Sequence, residues 1–347
     1  MSTLLAYSGL ATKVRAMKSR LLTDSEIEEI AGLRSVTEVV SYLSHHQGYS
    51  ELFQSVDSTM MHRGNLEKIL TLSRYKDFSK LYNFATIKQR KYLQLFFMKY
   101  EVALLKSVFR QIFEGKKVMV DQSILGPYFV KFSKISLDRL AETDSVEQCL
   151  EALKDTKFYT PLRRVYELGN ATLFDYELCL DVLQFTLVWK NKGKYLSGND
   201  LKIVTEDYGY RIDIINIQWI YRIKSYYHVS NADIYSYLIP IYYKLKKHEI
   251  KALVEAENIN DMKALLAGTY YGSKLTSSKD SENLTLEQMY RQLLNRFHRK
   301  ATKNNPYSLA CVESYFYLKQ KEISTLITMT ECIRYSYSYE EILQFIR

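Results

Sequence analysis

Turn-forming residues are scarce in this chain, with 4 prolines and 12 glycines in 347 residues. An all-β sandwich would need more of both, so long helices joined by few turns are expected. Cysteine is sparse too. Cys149, Cys179, Cys311 and Cys332 include no C-x-x-C pair, and each sits in a helical-looking stretch. They read as buried free thiols in a reducing compartment. No window approaches the roughly 18 consecutive apolar residues that a membrane-spanning helix needs. Met1–Ala11 has no basic start ahead of its apolar residues, so it does not read as a signal peptide. The expectation is a cytoplasmic, soluble protein, or one peripheral to a membrane.

Catalytic signatures are missing as well. Gly193-Lys194 lacks the preceding glycine and strand of a phosphate-binding loop. There is no G-x-S-x-G elbow and no H-E-x-x-H zinc helix. His45 and His46 are adjacent, so on a helix they point about 100° apart and do not easily chelate one metal. His62, His228, His248 and His298 are scattered. No catalytic, cofactor-binding or metal-ligating residue is therefore assigned, and no cofactor is expected.

What is abundant is tyrosine, with 30 residues. Its large apolar ring and polar tip suit half-buried helix faces and interfaces. Lysine and arginine number 48 against 39 acids, giving a net charge of +9. Such a balance suits nucleic acid, an anionic membrane surface or acidic protein partners, and equally an ordinary soluble protein.

The organising feature is repetition. The helical pair Asn304–Arg347 carries apolar residues at Val312, Tyr315, Phe316, Ile323, Leu326, Ile327 and Ile333, which is helical spacing. At its centre is Lys319-x-x-Glu322-Ile323-x-x-Leu326. The acidic–aliphatic step recurs at Glu101-Val102-x-x-Leu105 and Asp213-Ile214-x-x-Ile217, so the three acids stand 112 and 109 residues apart. Tyr49, Tyr159 and Tyr271 keep nearly the same beat, at 110 and 112. One helical unit is written three times.

Each repeat opens with a two-helix block, at residues 26–49, 136–159 and 249–271. In the first, Thr23-Asp24-Ser25-Glu26 is a helix-start signal and Gly32 a break. The first two blocks align without a gap, pairing Ile30 with Leu140, Ser35 with Ser145, Leu43 with Leu153 and Tyr49 with Tyr159. The third keeps Leu253, Ile259, Leu266 and Tyr271 in the same columns. A longer helix follows at Leu66–Phe84, Tyr176–Trp189 and Leu286–Lys300. A closing helix begins near Tyr92, Tyr210 and Tyr307 and should bury its apolar side against the others of its own repeat. Pro127 and Pro240 fall at matching handover points, where proline would rigidify the start of a helix. Lys192–Asn199 and Ser273–Ser281 read as polar loops. The boundaries drawn are residues 1–125, 126–237 and 238–347.

Two features invite a functional reading. The acidic column Glu101, Asp213, Glu322 could be a carboxylate site. Each acid, however, precedes an aliphatic core position, with Arg110 or Arg222 two to three turns on and Lys319 one turn before Glu322, so structural ion pairs explain it better. The amphipathic stretch Leu4–Leu22 carries Lys13, Arg15, Lys18 and Arg20 with no acid before Asp24. It suits phosphates or lipid headgroups, or simply a solvated face. The basic runs Lys88–Lys91, Lys244–Lys251 and Arg296–Lys303 lack any recognised nucleic-acid module, and nucleic acid is not expected as a partner.

The chain resembles the C-subunit family of archaeal and bacterial A/V-type rotary ATPases, whose eukaryotic relative is the d subunit of the vacuolar ATPase. The resemblance runs over almost the whole length. It rests on Tyr7…Lys13-x-Arg15-x-Met17-Lys18-x-x-Leu21-Leu22, on Ser35-Val36-x-Glu38…Leu43…Tyr49, on Asp213-x-x-Asn216…Arg222-x-Lys224 and on Asn305-Pro306-Tyr307-Ser308…Tyr315…Lys319-x-x-Glu322-Ile323. It implies an all-α protein of three similar helical domains in a pseudo-threefold, funnel-like arrangement. It also implies a non-catalytic socket at the cytoplasmic face of the cell membrane. That socket receives the D and F subunits of the central stalk, sits peripherally on the c/K rotor ring, and indirectly serves the A/B head in proton or sodium transport. From the residues alone, a helical-repeat adaptor unrelated to any ATPase stays open, as does a basic RNA-binding helical protein. An adaptor would hold one partner in a groove, and an RNA binder would lose affinity steeply with salt.

Overall fold

The fold is all-α, with no strand among the described residues. A computed structural model describes residues 3–53, 63–226, 230–275 and 286–346. Local chemistry places the helix starts. Thr23 and Glu26 form a reciprocal capping box ahead of the Asp24–Ala31 helix, with Thr23 N–H donating to Glu26 Oε2 at 2.8 Å. Ser35 caps the Val36–His45 helix, its Oγ accepting from Glu38 N–H at 3.2 Å. Ser145 does the same for Val146–Ala152, and Asn258 for Ile259–Ala267. The aligned serines of the first two blocks thus do one job, worth about 1 kcal/mol each, and asparagine does it in the third.

The chain divides into two compact units, one of residues 1–87, 121–128 and 305–347, the other of residues 88–120 and 129–304. In the first unit the Leu309–Arg334 helix packs on the Thr3–Lys18, Asp24–Ala31, Val36–His45, Arg63–Phe84 and Tyr339–Ile346 helices. Its core brings Ile30, Val39, Leu43 and Tyr49 against Ile323, Leu326, Met329 and Ile333. The closing helix of the last repeat therefore buries its apolar side largely against the first repeat, and within its own repeat against the Tyr339–Ile346 helix, where the sequence suggests its own repeat alone. The reason is that the chain's final apolar face finds its complementary surface on the opening block.

In the second unit the Gly198–Tyr226 helix packs on the Leu173–Tyr195, Leu286–Asn304, Lys247–Glu255 and Ile259–Ala267 helices. Aromatics fill the other seam. Phe97 meets Phe129 at 5.4 Å and Phe132 at 5.3 Å, while Phe109 stacks on Tyr176 at 4.8 Å.

Several local expectations are corrected. Lys192 to Tyr195 continue the preceding helix and are not a loop, because the Lys192 stem is buried and its ammonium lies 3.4 Å from the Trp189 ring centroid. The turn is confined to Leu196 and Ser197, and Gly198 allows it by adopting φ of +54°. The second closing helix accordingly starts at Gly198, well before Tyr210. Pro127 lies inside the Gln122–Phe132 helix and Pro240 in a non-helical stretch, so neither begins a helix. Ser273 is helical, within Tyr270–Leu275, while Thr276 to Ser281 lie outside the described residues. At the C-terminus, Ile342 is buried while Tyr335, Tyr337, Tyr339 and Phe345 are exposed.

Candidate functional site

The three acids of the repeat are all buried, Glu101 at 4%, Asp213 at 0% and Glu322 at 7% exposure. Each is satisfied by groups from another repeat, and Glu322 also by Lys319 of its own helix. Glu322 accepts from the Tyr49 hydroxyl at 2.5 Å, from Leu22 N–H at 2.6 Å and from the Lys319 ammonium at 2.9 Å. Lys319 also donates to the Tyr49 oxygen at 2.9 Å and lies 4.0 Å from that ring's centroid. Asp213 accepts from the Tyr271 hydroxyl at 2.8 Å and from three successive backbone N–H groups, of Tyr243, Lys244 and Leu245, at 3.1, 2.6 and 2.8 Å. Glu101 accepts from the Ser133 hydroxyl and pairs with Lys157.

The acids of the first and second repeats bind groups of the second and third. The acid of the third binds the first. Each carboxylate is a latch between consecutive repeats, and the last latch joins the end of the chain to its beginning. Burial, then the Glu322 carboxylate, holds the Tyr49 hydroxyl protonated well above the ordinary phenol value. These groups are locked donors and acceptors with no free nucleophile or proton carrier among them.

The structure refines the expected partners. Lys319 does pair with Glu322, as its spacing predicts. Arg110 reaches Glu177 at 2.7 Å instead of Glu101, and Arg222 is not among the partners of Asp213. In the second block the buried aromatic is Phe158, not Tyr159. Phe158 N–H donates to Thr156 Oγ1 at 3.2 Å, and Tyr271 N–H donates to Thr269 Oγ1 at 3.2 Å, so these two share a place. Phenylalanine has no hydroxyl, which is why Glu101 takes Lys157. The gapless alignment of the first two blocks is one residue out there, because the first block holds one residue more between its leucine and its tyrosine.

A second buried polar group lies in the second unit. Asp207 Oδ1 is 3.3 Å from His298 Nε2 and 3.0 Å from Arg211 Nε. Burial alone would raise the Asp207 pKa, but Arg211 and His298 outweigh it and hold the carboxyl below its usual range. Burial lowers the His298 pKa against the pull of Asp207, and Arg211 and Lys99 add to the lowering. A depressed carboxylate stabilises the fold above its unfolded pKa of about 3.9 and loses that as pH falls through the folded value. A depressed histidine contributes fully above its unfolded pKa of about 6.5 and loses that as pH falls below it. The urea midpoint is therefore expected to drop as pH falls below about 6.5, and His298→Gln should flatten that drop. An unchanged slope in the variant would refute the assignment.

Burial pushes the Cys149 thiol up to about 12 and the Cys179 thiol to about 11, so neither is ionised near neutrality. His62 and His228 lie outside the described residues. Among the described residues, no group of three or more His, Cys, Asp or Glu side chains is placed to hold a metal ion. Among them too, no helix is long and apolar enough to cross a membrane.

The repeat, its buried acids and the closure of last helix on first block span nearly the whole chain, and so does one family model. The model of the ATP synthase (C/AC39) subunit matches residues 10–345. The chain belongs to that family. The A-type ATP synthase C subunit of Pyrococcus abyssi is 25% identical over 346 residues, covering 98% of this chain and 90% of that protein. The namesake from Methanosphaera stadtmanae is 23% identical, covering 92% and 82%, and that of Methanothermobacter thermautotrophicus is 24% identical, covering 90% and 80%. The family is that of a rotary-ATPase subunit, accessory rather than catalytic. Buried carboxylates committed to structural partners suit a C/AC39 subunit of that kind. The tertiary partners of those acids are not visible in the sequence. Only Lys319, one helical turn from Glu322, is local enough to be read.

Proposed function

We propose that this chain is the socket of a rotary ATPase central stalk. It seats the shaft formed by the D and F subunits on the c/K rotor ring at the cytoplasmic face of the cell membrane. It thereby passes rotation between the A/B head and proton or sodium transport. Its three similar helical domains, residues 1–125, 126–237 and 238–347, surround a pseudo-threefold axis as a funnel, and its contact with the membrane is peripheral.

The observation that carries this reading is the head-to-tail order of the carboxylate latches. Repeats joined in that order, with the last tied to the first, favour a closed arrangement with a central opening over an open stack. A body that transmits torque needs stiff joints between its parts and no reactive group. Buried, fully satisfied charges supply such joints. Family membership supplies the machine in which such a part belongs.

Co-purification tests the reading. With this chain tagged in its native cell and the membranes gently solubilised, mass spectrometry should recover the D and F proteins, the ring protein and the A and B proteins of the head together. Recovery from the soluble fraction alone, with no ATPase component, would overturn it and leave the adaptor reading in its place.

A further inference from the structure

The basic N-terminal segment faces a cavity of about 70 Å³ in the first unit. Lys13 and Arg20 line it from that segment, and Lys76 and Lys80 from the Arg63–Phe84 helix. Two acids, Glu51 and Asp77, also line it. Glu51 already pairs with Lys80 at 3.7 Å, and Asp77 accepts from the Tyr315 hydroxyl. Lys319, at the same wall, is committed to Glu322. Lys13, Arg20 and Lys76 are thus left with no carboxylate partner among the described residues, and Lys13 instead lies over the Phe84 ring at 5.2 Å.

Against these three cations the wall sets one remaining carboxylate, Asp77, so the space keeps a net positive charge, felt more strongly where the side chains are half-buried as Lys13 and Lys76 are. The backbone is close-packed at one edge of this space. Gly48 sits so close to the Arg20 carbonyl that a Cβ would come within 2.2 Å of its oxygen. Gly48 therefore lets the two backbones meet there, while the Arg20 side chain itself is exposed.

We propose that this cavity binds a compact oxyanion of the phosphate class, free or as the phosphomonoester end of a larger molecule. The space suits one tetrahedral group. The Arg20 guanidinium can offer paired donors to two of its oxygens, and Lys13 and Lys76 add point charges. Asp77 gives the site its selectivity. A carboxylate repels a fully ionised anion such as sulfate but accepts a hydrogen bond from the P–OH of inorganic phosphate, or of a phosphomonoester in its singly ionised form. Burial raises the Asp77 pKa, against the lowering by Lys319, which eases its presence beside an anion. The proposal does not depend on the socket reading.

The test is calorimetric titration of the full chain at constant ionic strength. Sodium phosphate is expected to bind at one saturable site, and sodium sulfate at least about tenfold more weakly. The double variant Arg20→Gln/Lys76→Gln should weaken phosphate at least about tenfold, with circular dichroism confirming an unchanged fold. Asp77→Asn should bring sulfate up to phosphate. Two further arms separate the sources. Binding of phosphate alone identifies the free anion. Capture by phosphatidic acid vesicles but not phosphatidylcholine vesicles, lost in the double variant, identifies a lipid headgroup. No saturable binding by about 10 mM in any arm, or indifference to the double variant, overturns the proposal.

Discussion

Glu322→Ala is expected to destabilise the chain by about 3–5 kcal/mol, because it leaves a buried ammonium without its counter-charge. Lys319 is only 4% exposed and can neither reach water nor lose its place over the Tyr49 ring without moving the core. The Tyr49 hydroxyl and the Leu22 N–H lose their acceptor in the same step. Glu322→Gln should cost less, since its carbonyl oxygen still accepts, but the charge stays unmatched. Replacing both members, Lys319→Met with Glu322→Met, should recover much of the loss, because an apolar pair of similar volume needs no desolvation. Urea unfolding reads all three. Hydrogen exchange should show the alanine variant loosening at residues 22–53 and 309–334 together, since the latch joins those segments. A loss below about 1 kcal/mol would mean that the pair behaves as an exposed surface bridge, and the latch would be rejected.

How much of this is legible in the sequence follows from the range of the interactions involved. Helical class comes from few turn residues and 3.6-residue spacing, both local. The cap at Thr23 is legible because hydroxyl and carboxylate stand three residues apart. The pairing of Lys319 with Glu322 is legible for the same reason. Tyr49 and Glu322 both stand out by their spacing, yet nothing local says that they touch, since they are 273 residues apart. The registers slip where one residue decides the outcome. Phe158 replaces Tyr159 at the buried place because alignment by tyrosine identity ignores which aromatic faces inward. The polar composition of Lys192 to Asn199 suggests a loop. A lysine stem covering an indole can remain in a helix while its composition suggests solvent. The cationic cavity is half legible: the basic N-terminal segment stands out, but Lys76 and Lys80 join it only through tertiary packing.

Asp213→Ala should be the most damaging of the three carboxylate substitutions, and the ordering tests whether the latches differ in the way their partners do. Asp213 is fully buried and serves four donors, three of them consecutive backbone N–H groups that have no side chain to rotate away. An unsatisfied buried donor costs about 1–3 kcal/mol, so at least about 4 kcal/mol is expected, with the 239–246 stretch and Tyr271 exchanging freely. Asp213→Asn should cost less, because its carbonyl oxygen can take the place shared by the Lys244 and Leu245 N–H groups and the Tyr271 hydroxyl, leaving its amide to face the Tyr243 N–H alone. Glu101 stands at the other end. Its Lys157 partner is 38% exposed at the side chain and can turn to water, so Glu101→Ala should cost less than either. The expected order of loss is Asp213, then Glu322, then Glu101. That order follows from counting stranded donors and their access to solvent. Equal losses would instead mean that the acids act through their shared place before an aliphatic core residue, and that the cross-repeat bonds contribute little. In that event the head-to-tail order of the latches would no longer support a closed arrangement of the repeats.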